Sequence, residues 1–391
     1  MTGENTRVVV IGGGYAGVLA ANRLRLNANI DITVVNPRPS FVERIRLHQL
    51  VTGSDDAVVD YATVLGQGIT LTVDHVDKID AATRQVELAS GDSLGYDYLI
   101  YAVGSTGSTA TVPGADEFAY PIAEYEHASR LRAAVQAAAA EAPICVVGAG
   151  PTGLETAAEL AEEGRRVTLI CGSVLGPYLS TGGRRAAVKR MKKLGVTVID
   201  GPGATVTEVL ADAVVLADGR RVASALTIWT VGFGVPDLAA RSDLTTDGLG
   251  RILTDETLTS VDDPRIVAAG DAAAPSDLPL RMSCQAAIPL GAQAANTVLS
   301  RIAGTAPAPL NQAFTGQCIS LGRSAGLIQA AHLDDTVMPL YLGGRTAALI
   351  KEAVCKGTVS FLSREARKPG SYFWLKGGKR REKLAADAVP S

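Results

Sequence analysis

From residue 7 to about 300 the chain alternates short apolar runs with longer stretches in which apolar residues recur every three or four positions. The short runs, bounded by polar residues or glycine, read as buried strands, and the longer stretches read as helices packed on them. Val8-Val9-Val10-Ile11 opens the pattern, a helix follows over 18–26, and Ile32-Thr33-Val34-Val35 is the next strand. A strand and turn over 86–92 lead to the apolar run 96–104, which ends on Gly104. A helix over 124–141 then precedes Ile144-Cys145-Val146-Val147, a helix over 154–163, Val167-Thr168-Leu169-Ile170, and the run 226–232 ending on Gly232. The run 265–271 closes on Gly270 and Asp271. This alternation predicts an α/β protein of the doubly wound kind.

Two glycine-rich turns of one design punctuate the pattern, Gly12-Gly13-Gly14-Tyr15-Ala16-Gly17 and Gly148-Ala149-Gly150-Pro151-Thr152-Gly153. Each joins a strand to a helix. The first glycine permits the tight turn, the second lets backbone approach a pyrophosphate, and the third lets the helix pack close to the strand. The helix N-terminus adds free N–H donors. One such turn is weak evidence. Two of them imply two Rossmann-like dinucleotide-binding domains, hence an FAD/NAD(P)-binding fold. The run ending at Asp271 reads as a further strand of the first unit, so the second unit is inserted in the first. The expected domains are 1–120 with 255–330 for FAD, 121–254 for NAD(P)H, and a C-terminal region over 331–391.

The acid that usually follows the second strand and binds ribose hydroxyls is missing from both units. The first has Asn36, with Arg38 beyond it, and the second has Cys171 before Gly172-Ser173. Asn36 can pair with a hydroxyl without charge assistance, and Arg38 can approach a phosphate. No carboxylate at Cys171 repels a 2′-phosphate, and Arg165, Arg166, Arg184 and Arg185 are candidates to attract one. The donor stays open between NADH and NADPH.

Composition narrows the function classes. An apolar share of 47% with 20% charged residues suits a soluble globular enzyme, and a net charge of -3 gives no general attraction to nucleic acid. The short polar start leads straight into the first strand, which argues against a signal peptide and for the cytoplasm. Five dispersed cysteines without a C-x-x-C pair argue against a disulfide framework, a redox disulfide or a metal cluster, and most of them read as small core residues. The end of the chain differs. Residues 351–391 hold ten Lys or Arg and four Asp or Glu, interleaved with Phe361, Leu362, Tyr372, Phe373, Trp374 and Leu375. Such a segment is either a solvated tail or a basic aromatic surface resting on the inner face of the cell membrane.

The order of motifs resembles the two-dinucleotide flavoproteins of the pyridine nucleotide-disulphide oxidoreductase superfamily, and within them the type II NADH dehydrogenases and their actinobacterial relatives. The matching features are Gly12 to Gly17, the run 96–104 before Pro113-Gly114, Gly148 to Glu155, Gly270-Asp271, and Gly316 to Arg323, together covering roughly 7–330. The resemblance implies that Gly12, Gly14, Tyr15, Ala16 and Gly17 hold FAD, with Val76 at the adenine and Asp271 at the ribityl chain. Ala102, Gly104, Gly270 and Ala286 join that cofactor's surroundings. Gly148, Gly150, Pro151, Thr152, Gly153 and Gly232 would hold the nicotinamide dinucleotide, with Glu155 near its reactive end. A plain stabilisation of the helix N-terminus is the other reading of Glu155.

The activity implied is an FAD-dependent NAD(P)H oxidoreductase. A hydride passes from the nicotinamide to flavin N5, then two electrons pass to a membrane quinone, with no proton pumping. Two departures bear on this. The family's Ala-Gln motif carries a second Gln four residues on; here Gln285 is kept and Pro289 stands at the second place. The flavin-side segment 41–50, largely apolar in the family, carries Arg44, Arg46 and His48. A cation there would stabilise the anionic reduced flavin, with His48, Glu155 and Gln285 as catalytic candidates. Both departures favour the alternative of a soluble ferredoxin-like partner or a specialised small substrate. A sulfide:quinone oxidoreductase would need cysteines flanking the flavin: Cys318 and Cys355 lie in the right half, but none follows the second glycine turn. A non-enzymatic redox sensor is a further alternative, and a homodimer is left open.

Overall fold

The structure is a computed structural model describing residues 5–108 and 112–387. The polar start at 1–4, on which the argument against a leader rests, lies outside the described residues. In chain order the first elements are β1 (Thr6–Ile11), α1 (Tyr15–Leu24), β2 (Ile30–Asn36), α2 (Leu47–Thr52), β3 (Ile69–Val73) and β4 (Tyr98–Tyr101). Next come β5 (Ala119–Pro121), α3 (Tyr125–Ala137), β6 (Ile144–Val147), α4 (Pro151–Glu162), β7 (Val167–Ile170), α5 (Thr181–Lys193), β8 (Thr197–Ile199) and β9 (Leu226–Trp229). The remainder holds β10 (Ile266–Ala268), α6 (Cys284–Ile302), β11 (Gly316–Ser320), β12 (Gly326–Ala331), β13 (Val337–Gly344), α7 (Arg345–Arg367) and α8 (Arg380–Asp387).

Two parallel sheets carry the same plan, β10-β4-β1-β2-β3 and β5-β9-β6-β7-β8. In each, the strand that feeds the glycine turn is central and buried on both faces, so Val8 to Ile11 and Ile144 to Val147 are continuous apolar runs. The outermost strand differs in origin: β10 returns from after the second unit, whereas β5 precedes it. In sequence β10 follows β9, yet it pairs with β4 of the first sheet. The expected boundary after 120 runs through β5, because Ala119, Tyr120 and Pro121 pair with Thr227, Ile228 and Trp229.

Helix α3 stops at Ala137 instead of reaching 141. The Arg165 guanidinium donates to the carbonyls of Val135 (2.9 Å), Ala138 (3.0 Å) and Ala139 (3.3 Å), satisfying acceptors that the helix end leaves free. Arg165 is thereby removed from the candidates for a 2′-phosphate.

The expected boundary at 330 also moves. Strand β12 pairs with both β11 and β13 in one antiparallel sheet, so the C-terminal unit begins at Gly316. Helix α7 buries Ala347, Cys355, Thr358, Leu362 and Ala366 along one stripe. The tail beyond it folds back. Glu365, fully buried, accepts from the N–H of Gly370 (2.8 Å) and Tyr372 (2.7 Å) and lies 3.6 Å from Arg23 of α1. Tyr372 and Trp374 stack on each other and pack against the first domain's core, and Arg380 is buried on Glu256 (2.7 Å). Of the rings expected at a membrane, these two therefore face inward, while Phe361 and Phe373 remain exposed.

Candidate active site

A cleft of about 1420 Å³ opens where the carboxyl ends of both sheets meet α6, α7 and β13, the place where doubly wound folds bind ligands. Its geometry fits two dinucleotides. At the first turn Gly12 has φ +103°, and a Cβ there would overlap the Ala102 carbonyl; a Cβ on Gly17 would overlap the Gly12 carbonyl. Gly14, the N-cap of α1, faces open space, and no side chain caps the helix. The α1 amides are left for an anion. The second turn repeats this: Gly148 has φ +109°, Gly153 abuts the Gly148 carbonyl, and Gly150 is an open, uncapped N-cap of α4.

Asp271 supplies the second fit. Its Oδ2 accepts from Ser105 Oγ at 2.7 Å, and that hydroxyl accepts from Arg44 at 3.1 Å. Its Oδ1 is buried without a partner, an acceptor that a polyol hydroxyl would satisfy. Burial pulls the Arg44 guanidinium below the ordinary arginine range, against the opposing pull of Asp271 and Glu124.

Tyr15, Ala16, Ala102, Gly104 and Gly270 line the cleft beside the first turn; Pro151, Thr152 and Gly232 line it beside the second. Gly17, Gly148, Gly150 and Gly153 belong to the turns without lining the cleft. Asn36 and Arg38 line the cleft with their polar ends spent. Asn36 accepts from the Gly13 N–H (2.9 Å) and donates to the Arg38 carbonyl (2.8 Å), and Arg38 makes a two-pronged pair with Glu126 at 2.6 Å.

Three expected contacts lie off the cleft. Val76 sits in the antiparallel strand Val76–Asp80, paired with Leu88. Ala286 faces the core between α6 and α1. Cys171 lies behind the cleft, where its N–H bonds to the Ile199 carbonyl, and burial, then Asp200, pushes its thiol to about 12. Asp200, following β8, is exposed and near enough to act on the Cys171 thiol, so a carboxylate stands beside the end of β7 on the neighbouring strand. A search along β7 alone could not find it.

Two of the three catalytic candidates, Glu155 and His48, gather near a residue the motifs did not indicate, Lys351. Its Nζ lies 3.0 Å from Glu155 Oε1, which also accepts from the Ser320 N–H at 3.0 Å. Burial favours the neutral amine, but Glu155 and then the Cys355 thiol outweigh it and raise Lys351 above the ordinary lysine value. His48, buried, stands between Glu155 (3.7 Å) and Glu159 (3.4 Å). The signal for Lys351 was present: it falls on the buried stripe of α7, four residues after Ala347 and four before Cys355. Arg46 by contrast is structural, pairing with Glu43, Asp55 and Glu352.

Gln285 lines the cleft, with its amide oriented to accept from Thr315 Oγ1 (2.7 Å) and donate to the Gly316 carbonyl (3.1 Å). Pro289 lies inside α6 and has no N–H for the Gln285 carbonyl. Gln312 Nε2 donates to that carbonyl instead, at 3.1 Å. The carbonyl that the proline leaves free is thus satisfied by a second glutamine, Gln312, behind Gln285. Cys284 and Cys318 also line the cleft and so fall outside the majority expected to be simple core residues.

Paired parallel sheets, doubled glycine turns and the carboxylate between them define a two-dinucleotide oxidoreductase. The chain belongs to the pyridine nucleotide-disulphide oxidoreductase family, which matches residues 6–295, and that family's chemistry is carried by FAD and NAD(H). An NADH dehydrogenase-like protein of Mycobacterium tuberculosis is 33% identical over 327 residues, covering 75% of this chain and 80% of that one. The type II NADH:quinone oxidoreductase of the same organism is 29% identical, over 77% and 74%. The sulfide:quinone oxidoreductase of Aquifex aeolicus superposes with a TM-score of 0.78 at 21% identity, over 93% of each chain.

Proposed function

We propose that this protein is an NADH:quinone oxidoreductase working at a membrane surface. The observation that carries this reading is the apolar rim of the cleft. Val337 of β13 and Ile350, Val354 and Phe361 of α7 line the cleft and are exposed. Leu340 (65% exposed), Leu349 (66%) and Phe373 (82%) extend that surface. An apolar patch surrounding an entrance marks an interaction site, and a lipophilic acceptor matches it. Arg345, Lys356, Lys368 and Lys376, on the same C-terminal segments, complement anionic headgroups. No described helix is long and apolar enough to cross a membrane.

When bound, FAD accepts a hydride from the nicotinamide and passes two electrons on. The chain's residues do the rest. The α1 amides and Gly14 bind the pyrophosphate, and Asp271 Oδ1 orients the ribityl chain. Arg44 holds positive charge beside it. Thr152, Gly232 and the exposed Tyr178 position the donor, whose 2′-phosphate form Asp200 would repel. Lys351 aims a proton-bearing ammonium into the chamber where the acceptor oxygen would lie.

The test is NADH oxidation by FAD-loaded protein with quinone-bearing anionic vesicles. Quinone-dependent turnover and salt-sensitive flotation with the vesicles are expected. Turnover confined to a soluble iron–sulfur partner would overturn the reading. A sulfur-handling reading has one supporting observation, the placement of Cys284 and Cys318 in the cleft. It is weaker, because burial raises both thiols and keeps them protonated despite Lys351.

A further inference from the structure

A quinone carries two oxygens on one flat ring. A ring held at one oxygen still pivots about it, so setting its plane against the flavin takes a second contact. Lys351 can face one oxygen and leaves the other to be matched.

We propose that the Tyr15 hydroxyl is this second contact, a neutral donor that binds the far oxygen of a para-quinone while Lys351 faces the near one. The inference deepens the quinone reading above and rests on it. Tyr15 opens α1, and its ring is held in place by packing. It meets Phe41 edge to face at 5.1 Å between centroids, and Phe41 meets Tyr61 in the same way at 6.5 Å. The hydroxyl at the tip of that fixed ring is buried and has no hydrogen-bond partner among the described residues. An unpaired hydroxyl costs stability when it is buried, and one retained in a folded chain invites a bound partner. Thr358, beside the phenol, donates its own hydroxyl proton to the Cys355 carbonyl at 2.7 Å.

The neighbours of the Tyr15 hydroxyl place it on the acceptor side. Burial, then Cys284 and Glu43, push the phenol well above its ordinary value, and Cys355 adds to them. The group therefore stays protonated and serves as a donor without giving up its proton. Cys355 and Cys284 are also among the groups that raise Lys351. Phenol and ammonium thus share two thiols as neighbours, one from α6 and one from α7.

Both residues line the cleft, as do Cys284, Thr358, Phe361 and Tyr372. Lys351, Val354, Thr358 and Phe361 recur at helical spacing and form one wall of it. Tyr15 meets that wall at Thr358, two helical turns from Lys351, so the two donors reach a bound ring from different ends. Gln285 lines the cleft as well, but its amide is spent on Thr315 and Gly316.

The test is Tyr15→Phe on FAD-loaded protein with duroquinone, a para-quinone with no ring hydrogen for a cleft thiol to displace. Loss of one neutral hydrogen bond to the acceptor is expected to raise the KM for duroquinone about fivefold to tenfold and to leave kcat within about twofold. Thermal melts without quinone should be no lower than those of the wild type, because phenylalanine keeps the ring and removes a hydroxyl that has no partner. The rate at which the holoprotein loses FAD on dilution should not change. An unchanged KM would overturn the proposal and leave the function standing. A lower melting temperature, or failure to fold, would also overturn it, marking a bond within the chain. Faster loss of FAD would overturn it by assigning the hydroxyl to the cofactor. Wild-type protein that NADH bleaches but duroquinone does not reoxidise would remove the function itself, and this role of Tyr15 with it.

Discussion

The two glycine turns share strand order, backbone and open N-caps, yet one is roofed and the other open. Every residue of α1 is buried, and Asp271, Arg44 and Cys284 overlook its turn from three separate segments. The second turn faces the cleft through Pro151, Thr152 and the run after β9, where Val231 and Phe233 are exposed, as is Tyr178 opposite. One turn design thus serves two purposes. On the function proposed above, the roofed turn would retain FAD and the open one would exchange the nicotinamide every turnover.

The largest effect should come from adding one methyl to each turn. Gly17→Ala drives a Cβ into the Gly12 carbonyl and is expected to yield protein almost free of flavin by absorbance. Gly153→Ala, the same change at the open turn, should keep its flavin and weaken NADH binding by roughly a hundredfold, about 3 kcal/mol. Equal flavin loss in both would break the comparison.

Next in size is Lys351→Met, which leaves Glu155 as an unpaired buried charge and should destabilise the protein by about 3 kcal/mol in denaturant melts. NADH affinity should stay near wild type, because Lys351 belongs to the acceptor side. Asp200→Asn sharpens the open side. Removing one exposed carboxylate near a 2′-phosphate should improve NADPH binding relative to NADH about fivefold, roughly 1 kcal/mol, measured by calorimetry. An unchanged ratio would mean that another group reads the ribose.

The smallest effect concerns pH. Hydrogen bonds from Arg46, then Arg323, outweigh partial burial and hold Glu352 at about 2. A carboxyl depressed on folding stabilises above its unfolded pKa of about 4.5 and loses that contribution as pH falls toward 2. Thermal melts should show this loss, and Glu352→Gln should remove about 1 kcal/mol of it, solvent screening having cut the rest.

Much of the fold was legible because parallel strands buried on both faces must be apolar throughout, and glycine turns tolerate few substitutes. Gly12, Gly148, Gly270 and Asp271 could be placed from order alone. Residues whose role depends on distant partners could not. Arg165 looked free until α3 ended beside it, Asn36 until Gly13 and Arg38 consumed its amide, and Val76 until its strand turned away from the cleft. The tail's aromatic rings gave no sign of which would fold inward, because Glu365 and Arg23, far apart in sequence, decide that together. Lys351 was within reach, since a lysine on an otherwise buried helical stripe needs a buried partner.

The most direct measurement is an anaerobic absorbance titration of FAD-loaded protein, first with NADH and then with quinone in anionic vesicles. Stoichiometric bleaching by NADH, with tightly retained flavin and full return of colour on adding quinone, is the predicted result. Flavin that NADH cannot bleach, or that stays bleached with quinone and regains colour only with a soluble partner, would contradict it.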